Sequence, residues 1–350
     1  MEKKYLGIFI LLIVFTGIFF VIRETNQPQN PTNLGNGIFE GEAEETEKQE
    51  PHPLSIQALR DRQFNGSDLV VENVLVKSSS YTQSIVSYQS EGLKQYALFT
   101  IPIGEKPVGG WPAIIFNHGY IPPNQYRTTE RYIAYLDAFA RNGYIVMKPD
   151  YRGHGDSEGT ATGGYGTNSY TIDVLNALSS LKKYPDVDPN RIGMWGHSMG
   201  GHITLRVMVT TKDIKAGVIW AGVVASYPDL LNSWRRRNTT PPPGIPTGAR
   251  RWREQLTEAY GTPEENPEFW NSISSTSYLA DVSGPLELHH GTKDESVPIE
   301  FSKKLFDLLK ENGKETAFYE YPGDDHNISQ HFTTAITRSV DFFDKHLKEN

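Results

Sequence analysis

Residues 191–204 read RIGMWGHSMGGHIT, and this stretch decides the fold of the chain. The letters RIGMW have the apolar character of a buried strand, and HITLRVMV, which follows, has the pattern of a helix. Ser198 therefore lies in a tight turn between a strand and a helix, the context of a nucleophile elbow. Gly196 and Gly200 leave room where the strand and the helix approach each other. Such a turn places the serine oxygen near a helix N-terminus, where backbone N–H groups stabilise negative charge.

Strands and helices alternate on both sides of this turn. The segments PAIIFNHG, GYIVMKPD, IKAGVIWAG, GPLELHHG and ETAFYEYP read as strands, and TERYIAYLDAFARNG and SYTIDVLNALSSLKKY read as helices between them. Such an order predicts an α/β fold with a mostly parallel central sheet and helices on both faces. From residue 69, LVVENVLV, YTQSIVSYQ and QYALFTIPI predict antiparallel strands that lead into the sheet.

One long region interrupts the alternation. Residues 226–282 lie between two predicted strands and contain WRRR, PPPGIP and ARRWRE. Connections of this length usually have a function. This one would lie beside the carboxyl ends of the strands, where open α/β sheets bind ligands. We expect a helical insertion, or lid, over the site.

The N-terminus predicts a membrane segment. Residues 5–22 contain no charge, and as a helix they would span about 27 Å, close to the roughly 30 Å of a bilayer core. No small-x-small cleavage site follows, which favours an uncleaved anchor in residues 1–22 over a signal peptide. Lys3 and Lys4 favour a cytoplasmic start, so we expect an extracytoplasmic catalytic domain at residues 53–350, a secreted protein being the alternative. Residues 23–52 are polar and acidic and predict a disordered linker.

Composition excludes several kinds of function. The net charge of −8 disfavours a nucleic-acid partner, and the lack of cysteine excludes disulfides and thiolate metal sites. No P-loop is present, no Gly-x-Gly-x-x-Gly opens a helix, and no set of His, Asp and Glu has metal-ligand spacing. We therefore expect neither a cofactor nor a metal, and a small molecule or short peptide as substrate.

A serine hydroxyl needs a base, and the base needs a carboxylate that orients it. In a fold with a nucleophile elbow the triad residues follow in the chain order serine, acid, histidine. The acid and the histidine each lie in a loop after a later strand. Asp294 lies in the loop after GPLELHHG, with Glu295 as the neighbouring alternative. His326 lies in the loop after ETAFYEYP, and His331, inside the next helix pattern, is the weaker candidate. The order Ser198, Asp294, His326 predicts a catalytic triad.

An oxyanion hole needs two backbone donors. The N–H of Met199, which follows the nucleophile, is one. The loop after PAIIFNHG supplies the second, which we assign to the N–H of Tyr120, with Gly119 allowing the chain to turn. The tyrosine hydroxyl is the alternative donor.

Other polar residues near these motifs are interpreted as supports. His197 and His290 are expected to be structural, and His118 to support the oxyanion loop. The stretch PDYRGHGDSEG, residues 149–159, is interpreted as a polar loop that braces the site, with Asp150, Arg152, His154 and Asp156 outside the reaction itself.

Five stretches resemble the α/β-hydrolase superfamily and, within it, the catalytic domain of the prolyl oligopeptidase family and related esterases. They are DYRGHGDSEG, RIGMWGHSMGG, NPEFWNSISSTSYL, HGTKDESVP and YPGDDHN, and the likeness runs from Leu69 to the C-terminus. The resemblance implies a Ser198–Asp294–His326 triad, an acyl-enzyme intermediate and no cofactor. It favours a serine peptidase acting on small peptides or amides.

Large peptidases of that family carry a β-propeller ahead of the catalytic domain. Here some 45 residues separate the membrane segment from the first predicted strand. We therefore expect their prolyl or exopeptidase specificity not to carry over, and a carboxylesterase acting on small acyl esters stays open. A binding protein on an inactive hydrolase scaffold, a lyase or a haloperoxidase would be rival functions.

Arginines are concentrated in the insertion. Arg235, Arg236 and Arg237, followed by Arg250, Arg251 and Arg253, stand in an otherwise acidic protein. The first three are candidates for binding an anionic group of the substrate, because guanidinium groups match planar oxyanions. Contact with anionic lipid and a solvated helix face are the alternatives.

Overall fold

The computed structural model describes residues 50–234 and 251–349. Within that part of the chain, nine strands form one sheet in the order β1-β2-β3-β5-β4-β6-β7-β8-β9. The strands are β1 Val70–Lys77, β2 Tyr81–Ser90, β3 Leu93–Pro102, β4 Trp111–Asn117, β5 Ile145–Pro149, β6 Val187–His197, β7 Ala216–Trp220, β8 Leu286–Gly291 and β9 Thr316–Tyr321.

The helices of the described residues connect these strands. They are α1 Ile56–Arg60, α2 Ile133–Arg141, α3 Ser169–Lys182, α4 Met199–Thr210, α5 Tyr227–Asn232, α6 Trp252–Tyr260, α7 Pro267–Ile273, α8 Ile299–Glu311 and α9 Phe332–Leu347, with a 3-10 helix at Ser275–Asp281. Helices α5, α6 and α7 occupy the predicted insertion between β7 and β8.

Strand direction agrees with the sequence-based prediction. β1, β2 and β3 pair antiparallel, and β3 also pairs antiparallel with β5. From β5 onward the neighbouring pairs β5–β4, β4–β6, β6–β7, β7–β8 and β8–β9 are all parallel. The predicted mostly parallel α/β sheet is confirmed.

Helices cover both faces of the sheet because its central strands are apolar on both sides. In β4, Ala113 and Ile115 belong to one buried cluster, with residues of α1, α3, α4 and α8. Ile114 and Phe116 belong to the other cluster, with residues of α2 and α9. Alternate side chains of a strand point to opposite faces, so a strand that is buried throughout supports two helical layers.

Helix α2 begins later than its sequence pattern predicts. The pattern TERYIAYLDAFARNG starts at Thr129, but the helix spans Ile133–Arg141. Arg131 and Tyr132 have φ angles of 58° and 56°, in the left-handed region, and so cannot continue a right-handed helix. These two residues lie beside the candidate site.

The N-terminal predictions fall on residues 1–49, outside the described part of the chain. The anchor or signal segment at residues 1–22 therefore stays a prediction. Within residues 50–234 and 251–349, none of the helices combines the length and the apolar character needed to cross a bilayer.

Candidate active site

Ser198 lies between the end of β6 and the start of α4, as predicted. Its backbone has φ 55° and ψ −117°, which is strained for a residue with a Cβ atom. Hydrogen bonds hold this conformation: the Ser198 N–H donates to the Trp220 carbonyl, and the Ser198 carbonyl accepts from Gly201 and Val223, each at 3.0 Å. The sheet and the following connection thus fix the turn that presents the serine.

The glycines of the turn are required by close backbone approach. A Cβ atom on Gly200 would overlap the Asn117 carbonyl at the end of β4, and one on Gly196 would overlap the Thr204 side chain. These close approaches explain why the turn needs the small residues that the sequence predicts there. The approach also brings the end of β4 close to the elbow.

Asp294 and His326 lie together after β8 and β9. His326 Nδ1 lies 2.7 Å from Asp294 Oδ2, and the other carboxylate oxygen accepts the N–H groups of Ser296 and Val297 at 2.8 and 3.0 Å. The Asp294 side chain is completely buried, whereas Glu295 is exposed. The structure therefore pairs His326 with the expected acid and not with its neighbour.

His331 is held by a different acid. Its Nδ1 lies 2.9 Å from Asp324 Oδ2, and its N–H donates to the same oxygen at 3.0 Å. His331 directly precedes α9 and does not line the cavity described below. Asp324 thereby braces the loop that carries His326.

A second histidine holds Asp294. His290 Nε2 faces Asp294 Oδ2 at 3.0 Å and the Val297 carbonyl at 3.1 Å, so this nitrogen carries the proton, and Nδ1 accepts from Ser302 Oγ at 2.8 Å. Burial alone would raise the pKa of Asp294. Hydrogen bonds from His290 and His326 outweigh it and hold that pKa below its usual range. Asp294 is therefore an ionised carboxylate, and both of its oxygens accept hydrogen bonds.

Ser198 and His326 line one cavity of about 360 Å³ at the carboxyl ends of the strands. Its other lining residues are Gly119, Tyr120, Ile121, Arg131, Tyr132, Tyr135, His197 and Asn327. A larger depression of about 700 Å³ lies near the amino ends of the strands and is lined by residues such as Asp188 and Pro285. The smaller cavity contains both the candidate nucleophile and the candidate base, and it is therefore the candidate active site.

The predicted oxyanion loop lies against the nucleophile. A Cβ atom on Gly119 would lie 2.7 Å from the Tyr132 hydroxyl, which is too close, and 3.2 Å from Ser198 Cβ, so glycine fits best here. Tyr120 lines the cavity beside it. Met199 is the first residue of α4, where the helix offers no acceptor to its N–H. Tyr120 therefore borders the cavity, and Met199 directly follows Ser198 in the chain.

His197 connects three parts of the site, which the sequence reasoning did not foresee. The Gly119 N–H donates to the Tyr132 hydroxyl at 3.0 Å, and this hydroxyl donates to His197 Nδ1 at 2.8 Å. His197 Nε2 then donates to the His326 carbonyl at 2.9 Å. One buried imidazole thus joins the oxyanion loop, the start of α2 and the loop of the candidate base.

His197 is one of several histidines whose pKa is lowered by burial. Burial lowers the pKa of His197 and His202 to about 3 and that of His154 to about 4, and it lowers the pKa of His118 well below its usual value. The neighbouring His326 lowers the pKa of His197 further. A neutral His197 adds no positive charge next to His326.

The loop at residues 149–159 forms hydrogen bonds and ion pairs that support the candidate site. Arg152 pairs with Asp173 at 2.7 Å and with Glu91 at 2.8 Å. The Asp150 carboxylate accepts from the Tyr126 hydroxyl at 2.6 Å. The Tyr151 hydroxyl donates to the carbonyl of His118, and the His118 ring stacks on Tyr151 and Tyr126. This packing supports the oxyanion loop from behind.

The arginines of the insertion lie mostly outside the described residues. Arg235, Arg236, Arg237 and Arg250 are among the residues that the structure does not describe, so the predicted substrate contacts of the first three stay predictions. Arg253 lies over the Trp252 ring, 4.5 Å from its centroid.

Comparison with known proteins assigns the family. Residues 131–350 match the prolyl oligopeptidase family. This match covers more than half of the chain, and the chain belongs to that family of serine hydrolases. The resemblance inferred from the sequence motifs is confirmed.

Two relatives come from Bacillus subtilis (strain 168). The uncharacterized peptidase YuxL is 30% identical over 247 residues, which are 68% of this chain and 35% of YuxL. The uncharacterized peptidase YtmA is 27% identical over 188 residues, 52% of this chain and 65% of YtmA. The chain thus spans about a third of the length of YuxL.

Solved structures show the same fold. Acylaminoacyl peptidase from Pyrococcus horikoshii matches with a TM-score of 0.62 and 24% identity, over 78% of this chain and 43% of that one. The esterase Pf2001 from Pyrococcus furiosus matches with a TM-score of 0.57 and 23% identity, over 79% of this chain and 98% of that one. At these identities the likeness concerns the α/β-hydrolase fold alone.

Proposed function

We propose that this chain is a serine peptidase that cleaves small peptides or amides through an acyl-enzyme intermediate on Ser198. The observation that carries the proposal is the shared cavity. Its wall contains a strained serine at a helix N-terminus and a histidine that is hydrogen-bonded to a buried, ionised carboxylate. A nucleophile, a base and an orienting acid are the groups that acyl transfer requires.

In the proposed first step, Ser198 Oγ attacks the substrate carbonyl carbon while His326 Nε2 takes the hydroxyl proton. Asp294 holds the opposite nitrogen and stabilises the imidazolium that forms. The backbone N–H groups of Met199 and Tyr120 donate to the oxyanion of the tetrahedral intermediate. His326 then gives its proton to the leaving nitrogen as the C–N bond breaks, which leaves an acyl ester on Ser198.

In the second step His326 takes a proton from water, and the resulting hydroxide attacks the ester carbonyl. The bond between Ser198 Oγ and the acyl carbon then breaks, and His326 returns the proton to Oγ, which releases the acid and the free serine. No hydrogen bond joins Ser198 Oγ and His326 in the described structure. We expect this contact to tighten when substrate is bound, as it does in many hydrolases.

Family membership favours a peptide substrate, since the similar proteins YuxL and YtmA are named as peptidases. A carboxylesterase acting on small acyl esters is the second candidate. Its support is the esterase Pf2001, which this chain covers over 98% of its length. The same acyl-enzyme chemistry serves both, and the leaving group distinguishes them.

We further propose that residues 1–22 anchor the protein in a membrane, with the catalytic domain outside the cytoplasm. The uncharged stretch after Lys3 and Lys4 supports this orientation. Alkaline phosphatase fused after residue 52 should be active, and an inactive fusion would reverse the orientation. A mature protein found free in the medium would favour the secreted alternative.

A fluorophosphonate probe tests the proposed nucleophile. We expect the full chain to be labelled, and Ser198→Ala to lose both the label and activity on a panel of aminoacyl amides, short peptides and p-nitrophenyl esters. Ser79→Ala changes an exposed serine in the β1–β2 turn and is the matched control, with full labelling expected. A folded wild-type protein that stays unlabelled would contradict the proposal.

A further inference from the structure

The cavity beside Ser198 has an unusual charge pattern. Among the described residues that line it, Arg131 is the one side chain with a permanent charge. The others are aromatic, histidine, serine, asparagine, isoleucine or glycine, and none is a carboxylate. A substrate that fills this cavity therefore meets a cation without a competing acid in the cavity wall.

Arg131 also has no hydrogen-bond or ion-pair partner among the described residues, in contrast to two other arginines of the same region. Arg141 pairs with Asp137 at 2.7 Å, and Arg127 donates to the carbonyl of Tyr126 at 2.7 Å. Arg131 is exposed and makes no hydrogen bond or ion pair with any described residue. Its guanidinium keeps all its donors available for a ligand.

The backbone holds Arg131 at this place against its own preference. Arg131 and Tyr132 both have left-handed φ angles, which residues with a Cβ atom rarely adopt in succession. Tyr132 is fixed by hydrogen bonds of its hydroxyl with Gly119 and His197, at 3.0 and 2.8 Å. The network that positions the oxyanion loop therefore also fixes the residue next to Arg131. Strain of this kind persists where the surrounding structure enforces it, often at functional sites.

Asp325, the acid whose charge acts on Tyr135 of the cavity wall, has partners of its own. Burial, with a smaller effect from the charge of Asp325, raises the pKa of Tyr135 to about 12. The Asp325 carboxylate accepts the N–H groups of Asn327 and Ser329 at 3.0 Å each. Its charge is therefore partly satisfied within the loop that follows His326.

We propose that Arg131 binds a carboxylate of the substrate and makes the enzyme selective for anionic short peptides. The inference rests on the proposed function and adds the substrate class. A guanidinium pairs with a carboxylate through two parallel hydrogen bonds, which fix its orientation as well as its position. The cavity of about 360 Å³ is at the lower end of the range for small-molecule sites, as a short anionic substrate requires.

Two pairs of substrates test this with the full chain. Ala-Ala and Ala-Ala amide differ by a carboxylate on the leaving side, and succinyl- and acetyl-alanine p-nitroanilide differ by one on the acyl side. Each pair is assayed with the wild type and with Arg131→Gln, Arg131→Lys and Arg131→Gly. The glycine variant also relieves the left-handed strain, so it stays informative if the glutamine variant is unstable. Arg127→Gln is the matched control, because it removes an exposed arginine of the same connection that does not line the cavity.

We expect the wild type to prefer the carboxylate member of at least one pair. In Arg131→Gln and Arg131→Gly the kcat/KM for that member should fall about 10-fold or more, and that for the uncharged member less than about 2-fold. For Arg131→Lys, the kcat/KM for the carboxylate member should lie between the values for the wild type and for Arg131→Gln. Arg127→Gln should have the kcat/KM of the wild type for both members. The pair that responds tells whether the carboxylate sits on the leaving or the acyl side.

Fluorophosphonate labelling separates the two levels of the proposal. If Arg131→Gln is labelled at the wild-type rate and the ratio within both pairs is unchanged, the role of Arg131 is wrong while the proposed hydrolase stands. If the folded wild type is neither labelled nor active, both the proposed function and the proposed anion site are refuted.

Discussion

The Tyr132 hydroxyl offers a direct test of how the site is positioned. It accepts the Gly119 N–H at 3.0 Å and donates to His197 Nδ1 at 2.8 Å. Tyr132→Phe removes only this oxygen and leaves both partners without their hydrogen bond. Phenylalanine fits the same space, so the substitution isolates the hydrogen bonds from the packing of the ring.

The loss of stability can be estimated from these contacts. A buried polar group that loses its partner costs about 1–3 kcal/mol. Both hydrogen bonds are only partly buried and Tyr132 lines the cavity, so we use the lower end for each partner. The free energy of unfolding should then fall by about 2 kcal/mol. For a domain of about 300 residues the entropy of unfolding is about 0.6 kcal/mol/K, so Tm should fall by about 3 °C.

Activity should fall as well, because Gly119 precedes the proposed oxyanion donor. Complete removal of one oxyanion donor costs about 10²–10³ in kcat. Here the donor stays and only its support is lost, so we expect kcat to fall about 10-fold with a smaller change in KM. Steady-state kinetics with a p-nitrophenyl ester and urea unfolding measure the two effects.

Tyr135→Phe is the matched control. Tyr135 lines the same cavity, but its hydroxyl donates only a long, exposed hydrogen bond to the Asn327 carbonyl at 3.4 Å. This variant should keep wild-type stability and kcat within about 2-fold. Equal effects of the two substitutions, or a Tyr132→Phe variant with unchanged kcat, would refute the proposed support of the oxyanion loop.

Four further predictions follow from the same geometry. Ser198→Gly should be about 1 kcal/mol more stable than Ser198→Ala in urea unfolding, because glycine tolerates φ 55°; equal midpoints would contradict the strain. Gly200→Ala should lower the free energy of unfolding by about 3 kcal/mol or more. The control Gly313→Ala, whose Cβ would meet open space at φ 66°, should lower it by about 1 kcal/mol. Asp294→Asn should lower kcat by about 10⁴ in the ester assay, while an effect below 10-fold would exclude Asp294 as the orienting acid. Below pH 6.5 the unfolded chain protonates histidines such as His197 that stay neutral in the folded protein. The free energy of unfolding should therefore decrease as the pH is lowered below 6.5, by up to about 1.4 kcal/mol per pH unit for each such histidine. His197→Gln should reduce that slope in urea unfolding measured at several pH values.

The sequence was sufficient for features that depend on local pattern and chain order. The turn around Ser198 was predictable because a strand, two glycines and a helix are adjacent in the chain. The contact between Asp294 and His326 was predictable because parallel strands end at one edge of the sheet, so the loops after β8 and β9 must be neighbours. These inferences needed no knowledge of side-chain packing.

The support of the site could not be predicted in this way. The structural role of His197 stays a prediction, but its partners Tyr132 and His326 are 65 and 129 residues away in the chain and could not be foreseen. Helix α2 was predicted too long, because the amphipathic pattern continues through Arg131 and Tyr132 although their backbone is left-handed. Tertiary contacts of the Tyr132 hydroxyl outweigh the local helical preference there, and no local signal in the sequence records them.

The described hydrogen bonds distinguish the residues that hold the candidate catalytic groups from Arg131, which we propose meets the substrate. His197, His290 and Tyr132 hold the loop of the candidate base, the candidate acid and the predicted oxyanion loop through hydrogen bonds within the protein. Arg131 lies on a connection outside the sheet and takes part in none of those three bonds. A neutral His197 also matters for the reaction itself, because a second positive charge beside His326 would oppose the imidazolium that forms during acyl transfer. Substitutions at Arg131 should therefore change which substrates are cleaved, whereas substitutions at His197 or Tyr132 should lower kcat for every substrate alike.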